Sequence, residues 1–154
     1  MTAQAREILY YNGETFGINT EPLESYFQLF ENPFKFQSQH TACGRGYIGT
    51  WEIKNNLLLL IKFNAWVFDQ KEVDINYLFP GEPVVFADWF SGEIQIPQGK
   101  ELLYIHSGYR SIYEKDLFLK FKNGHLINSR TVDNYEKALQ AKKENDELNR
   151  AFGI

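Results

Sequence analysis

Short apolar segments, each closed by a pair of turn-forming residues, recur along most of the chain. Glu7–Tyr11 is followed by Asn12-Gly13 and then Glu14–Ile18; Tyr47–Ile53 is followed by Asn55-Asn56 and then Leu57–Phe63. The stretch from 84 to 130 repeats the pattern most densely. Val84–Phe90 stops at Ser91-Gly92, Glu93–Ile96 at Pro97-Gln98-Gly99, and Leu102–His106 at Ser107-Gly108. Leu117–Phe121 then turns at Asn123-Gly124 into His125–Ile127. β-Branched and aromatic residues between such dipeptides are the pattern of antiparallel strands joined by tight turns, because Asn and Gly accept the positive φ that two-residue hairpins need.

Two segments follow a different period. Leu23, Tyr26, Phe27 and Phe30 fall at i, i+3, i+4 and i+7 behind Thr20 and Pro22, which predicts a short helix near 21–30 with Thr20 as N-cap, ended by Asn32-Pro33. Tyr135–Ala151 is rich in Glu, Lys, Gln, Leu and Ala without Gly or Pro, and Asp133 with Glu136 approximates a capping box. It reads as a terminal helix over 134–152 that packs at its ends. Residues 31–46 read as a loop with some extended character, and 65–79 as a short strand followed by turns. The fold class expected is therefore α+β and β-dominated: an antiparallel meander, as a curved sheet or sandwich, with a short helix near 21–30 and a C-terminal helix. A single domain of 154 residues holds the β-rich body at 7–130 and that helix.

Composition changes the picture in three places. Aromatics make up 16% of the chain, which suits a sheet core and also supplies surface anchors. The single Cys43 excludes an internal disulfide, and His40-x-x-Cys43 is only half of a zinc site, so no metal or other cofactor is expected. The start of the chain lacks the basic and apolar run of a secretory leader, and its longest apolar run, Leu57–Ile61, is too short to span a bilayer. A cytoplasmic protein without membrane contact is the expectation.

Charge is distributed unevenly around a net −4. Between Val67 and Glu101 seven acids face two lysines, whereas from Arg110 to Arg130 five basic residues face two acids. Overall acidity argues against nucleic acid as a ligand. The acidic stretch instead offers Asp69, Glu72, Asp74, Glu82, Asp88 and Glu93 as contacts for a basic protein partner, with Trp89 or Tyr77 as anchors. A solvated face and aromatic core residues are the plainer readings of the same positions.

One cluster resembles an acid–base site. His106, Arg110 and Glu114 lie within nine residues at a strand end, the set a metal-independent hydrolase or nuclease could use: His and Glu for proton transfer, Arg for an oxyanion. The plainer reading places His106 on a strand face and pairs Arg110 with Glu114, so the three are not expected to converge. Cys43-Gly44-Arg45-Gly46 lacks the lysine and hydroxyl of a phosphate loop and opens no helix.

The segments Arg45–Ile53, Leu78-Phe79-Pro80, Ala87–Gly99 and Tyr109–Leu117 resemble uncharacterised bacterial β-rich proteins of similar length, over roughly residues 7–130. Some of these resemble immunity partners of polymorphic toxins. The resemblance implies a non-catalytic, protein-binding immunity protein that neutralises a basic toxin domain, and it supplies no catalytic residues. A small hydrolase built on His106, Arg110 and Glu114 is the alternative, and a ligand-binding or structural β module a further one.

Overall fold

The computed structural model describes residues 2–31 and 34–153. Nine strands form one strongly curved sheet: β1 (Glu7–Tyr11), β2 (Glu14–Ile18), β3 (Tyr47–Lys54), β4 (Leu57–Val67), β5 (Lys71–Val73), β6 (Val85–Phe86), β7 (Gly92–Leu103), β8 (Ile112–Lys122) and β9 (His125–Asp133). Three α-helices accompany them, α1 (Leu23–Phe27), α2 (Ile75–Leu78) and α3 (Tyr135–Ala151), with single 3₁₀ turns at Thr41–Cys43 and Phe68–Gln70. The strand path runs β2-β1-β3-β4-β9-β8-β7, and β5 and β6 also pair with β4. The β-dominated α+β architecture is as the hydrophobic pattern implies.

The three two-residue turns all adopt the left-handed backbone expected of them: Asn12-Gly13 at φ 51° and 75°, Asn55-Asn56 at 53° and 61°, Asn123-Gly124 at 48° and 79°. Gly124 has a second constraint. A Cβ there would sit 2.5 Å from the Ala87 carbonyl oxygen and 2.6 Å from the Phe86 ring, whereas one on Gly13 would meet open space. Gly124→Ala is therefore expected to destabilise by about 2 kcal/mol or more, and Gly13→Ala only by about the 1–2 kcal/mol of a left-handed alanine. Urea unfolding of the two variants side by side checks this; equal losses would count against the close approach.

Five local readings are corrected. The sheet is mixed, because β1 pairs with β3 in parallel, Leu9 opposite Trp51. No tight turn can join parallel neighbours; here β2 first returns the chain to the end at which β1 starts, and β3 begins only afterwards. Pro97-Gln98-Gly99 does not end a strand: β7 continues through it, with register shifts after Gln98 absorbing the irregularity and Gly99 at φ 81°. Of the apolar run Val84–Phe90 only Val85–Phe86 is a strand, and α2 forms where turns were expected, with the Asp74 carboxylate accepting the Asn76 N–H at 3.0 Å. The first helix is shorter than expected, capped at Pro22. Thr20 serves elsewhere: its hydroxyl accepts the Gln95 N–H at 3.0 Å, and Asn19 N–H donates to the Gln95 carbonyl at 2.9 Å. These bonds bring the end of β2 onto β7, so the sheet curls around its core without closing. The Asn32-Pro33 helix stop lies outside the described residues.

Inside the curl lie Leu9, Ile18, Trp51, Leu58, Leu60, Phe63, Ile94, Ile96 and Leu119, all almost fully buried. Along β1 alternate side chains point inward. Leu9 is one of them, and so is Glu7, which is wholly buried.

Candidate functional site

His106 and Arg110 lie on the segment after β7 and share a cleft of about 510 Å³ with Leu103, Tyr104 and the α3 residues Glu144 and Leu148. The Tyr104 hydroxyl holds His106 Nδ1 at 2.8 Å. Glu114 does not line this cleft. It sits on β8, where Oε1 accepts the Lys100 N–H at 2.6 Å and Oε2 accepts the Tyr135 hydroxyl. Those bonds, the tyrosine's first, hold its carboxyl below the usual glutamate range. A carboxylate held that way suits a turn lock at Gly99 better than a proton acceptor. The glutamate beside His106 and Arg110 is Glu144, which chain separation hid from sequence reasoning.

The acidic candidates fall into separate groups. Glu72 and Asp74 flank an open cleft of about 580 Å³ together with Asn64, Asn76 and Tyr77. Asp69 lines a different cleft with Gln37, Ser38 and Gln39. Glu82 and Asp88 are exposed beyond α2, and Glu93 on β7 is bound by Arg130 at 3.1 Å. The two proposed anchors differ as well. Trp89 is half-buried, its indole N–H donates to the Pro22 carbonyl at 2.9 Å, and its ring packs on Phe79 and Tyr26. Tyr77 is exposed, and its ring meets Phe34 and Phe36.

Those contacts belong to a continuous run of rings. From the buried Tyr47 and Phe63 it passes through Phe36 and Phe34 to Tyr77 and to Phe30, with centroids 5.4–6.5 Å apart. Its outer end therefore reaches solvent at Tyr77, in the cleft shared with Glu72 and Asp74, and at Phe30. The aromatic excess has both a core end and a surface end.

Sequence reasoning missed a second cluster. The Glu7 carboxylate accepts the Gly49 N–H at 2.8 Å and the Trp51 indole N–H at 2.9 Å, and Arg45 approaches it at 3.5 Å. Gly49 must lack a side chain, because a Cβ there would stand 2.9 Å from both Glu7 and the indole nitrogen. Arg45 also lies 3.9 Å from Glu21, which accepts the Tyr109 hydroxyl at 2.7 Å. The guanidinium stands over the Tyr47 ring at 5.3 Å, and that tyrosine's hydroxyl donates to Glu24. Burial pushes the Glu7 carboxyl up to about 7, against the opposing pull of its two N–H donors and Arg45. Burial, then the bond to Glu21, likewise raises the Tyr109 phenol. Glu7 is wholly buried, and the cluster ties β1 to β3 and to the segments carrying Glu21 and Tyr109. The alternation Glu7, Leu9, Tyr11 was the signal available for it.

His40 is exposed while Cys43 is buried, its thiol directed at the Tyr47 carbonyl at 3.5 Å. Among the described residues no three His, Cys, Asp or Glu are grouped to hold a metal ion, and no helix is long and apolar enough to cross a membrane. The fold and clefts together define a β-dominated α+β protein with an aromatic–acidic surface patch and a separate His–Arg cleft. Comparison of the chain with protein-family models, curated proteins and solved structures finds no match.

Proposed function

We propose that this is a non-catalytic protein-binding protein whose partner presents a basic surface. In its finer form, the reading is a cytoplasmic immunity protein that neutralises a basic toxin domain. The observation that carries it is the exposed Tyr77 ring in one cleft with Glu72 and Asp74, continuous with exposed Phe30 through Phe34. Interfaces concentrate their binding energy in a few aromatic anchors surrounded by polar rims, and this patch has both parts. Among the described residues no cation pairs with Glu72 or Asp74, and although Asp74 also caps α2 by accepting the Asn76 N–H, both charges are open to a basic partner.

The test is a titration against the product of the adjacent gene, with wild type, Tyr77→Ala and the double variant Glu72→Lys/Asp74→Lys. Tyr77→Ala should weaken binding by about 2 kcal/mol, roughly thirtyfold, mainly through faster dissociation. The charge reversals should slow association at low salt and converge on wild type once the Debye length falls below about 8 Å. Unchanged binding by both variants would remove this patch from the mechanism.

One observation favours a hydrolase instead: His106, Arg110 and Glu144 do line a single cleft. Turnover of a phosphate or carboxylate ester that is lost in His106→Ala would establish that reading in place of ours.

A further inference from the structure

β9 outruns its neighbour. It meets β4 only at His125, opposite Leu57, and the Leu126 N–H donates to the Asn56 carbonyl at 2.8 Å in the β3–β4 turn. There β4 begins, so from Ile127 to Asp133 the described residues supply β8 on one side of β9 and no strand on the other. Residues 127–131 are all exposed, Ile127 at 54%. A strand edge of this length, about 23 Å at roughly 3.3 Å per residue, presents a row of backbone groups ready to pair.

One side-chain contact shows which groups face outward. The Ser129 N–H is bonded at 2.9 Å to the Asn128 side-chain oxygen, not to β8. Backbone groups alternate along a strand, so the Thr131 N–H faces the same open side. The neighbouring face is cationic. Lys120 and Lys122 are exposed on β8, opposite Asn128 and His125, and Arg130 stacks over Phe118 at 4.1 Å. Among the described residues Glu93 pairs with Arg130, and no ion pair engages Lys120 or Lys122.

We infer that the free edge of β9 receives an extended acidic segment of another protein by strand addition. The backbone row supplies affinity, and the cations supply the choice of partner. A second copy of this chain is disfavoured, since β9 itself carries one acid, Asp133, beside Arg130 and does not answer the cations of this face. The surface is separate from the Tyr77 patch, because β5 pairs with the far end of β4, about 30 Å away along that strand. This inference therefore stands or falls independently of the proposed function.

The experiment follows amide hydrogen exchange in the full chain with two short synthetic peptides, one alternating Glu with Val and one alternating Lys with Val. The acidic peptide should protect the Ser129 and Thr131 amides below about 1 mM, and the basic one should not. Asn128→Ala, which uncovers the Ser129 N–H, should tighten binding several-fold. Thr131→Pro, which removes an outward N–H but no bond to β8, should abolish it. Lys120→Glu/Lys122→Glu at exposed positions should weaken binding at least tenfold and serves as the second variant if the proline perturbs folding. No protection at about 1 mM, equal protection by both peptides, or concentration-dependent self-pairing without peptide would each overturn the inference.

Discussion

Arg45→Met is expected to destabilise the protein by about 3–5 kcal/mol, more than any surface substitution discussed above. The guanidinium is 91% buried by side-chain area, set between Glu7 at 3.5 Å and Glu21 at 3.9 Å. Methionine keeps much of the packing volume against Tyr47 but leaves Glu7 with no cation in a site that excludes water. The penalty is the cost of keeping Glu7 protonated at neutral pH once Arg45 no longer opposes its burial, not the net worth of the pair. The double variant Glu7→Gln/Arg45→Met should therefore recover more than half of the loss, since neither charge then remains in the interior. Thermal unfolding reads the effect as a fall of about 10 °C for the single variant, at about 2–4 °C per kcal/mol for a chain of this size. A double variant no more stable than Arg45→Met would show that the loss lies in packing rather than in charge.

Stability is expected to fall as pH rises from about 5 to about 8, by about 3 kcal/mol. The cause is Glu7, raised from an ordinary 4.5 to about 7 by burial. Between those two values the folded protein keeps a proton at Glu7 that the unfolded chain has released. Stability then declines with rising pH, is fully present below about 4.5, and has lost this contribution once pH passes about 7. Each unit of displacement corresponds to 1.36 kcal/mol, and the group is fully buried, so solvent does not discount it. Glu114 acts in the opposite sense and in a different window, because its carboxyl is held low and its contribution is lost only as pH falls below the ordinary value. Urea midpoints of wild type and Glu7→Gln at several pH values separate the two. The slope between pH 5 and 8 should disappear in Glu7→Gln, and a slope that survives the substitution would assign it to another group.

Both expectations rest on residues that no motif marks, and the same is true of the clefts. His106 and Arg110 do line one cleft, because they lie four residues apart on the segment after β7. Glu114 was grouped with them by proximity in sequence. It belongs, however, to β8, whose bond to Lys100 across the β7 bulge carries its carboxylate away. Glu144 takes its place because α3 folds back over the end of β7, a contact between segments about forty residues apart. The acidic stretch likewise was legible as composition but not as a surface. Glu93 reaches Arg130 across the single intervening strand β8, while Glu72 and Asp74 are brought beside Tyr77 by β5 and α2.

What the chain determined locally, it determined firmly. Asn12-Gly13, Asn55-Asn56 and Asn123-Gly124 turn where they stand because their own backbones tolerate positive φ, and each turn sets the antiparallel register of the hairpin it joins. The terminal helix runs over Tyr135–Ala151 because its residues favour helix and nothing breaks it before Gly153. The parallel pairing of β1 with β3, the continuation of β7 through Pro97, the burial of Glu7 against Trp51 and the open edge of β9 were decided only in three dimensions. Each depends on which strand lies beside which. That choice follows from burying one common core at the lowest loss of chain entropy, a property of all the segments together that no window of residues contains.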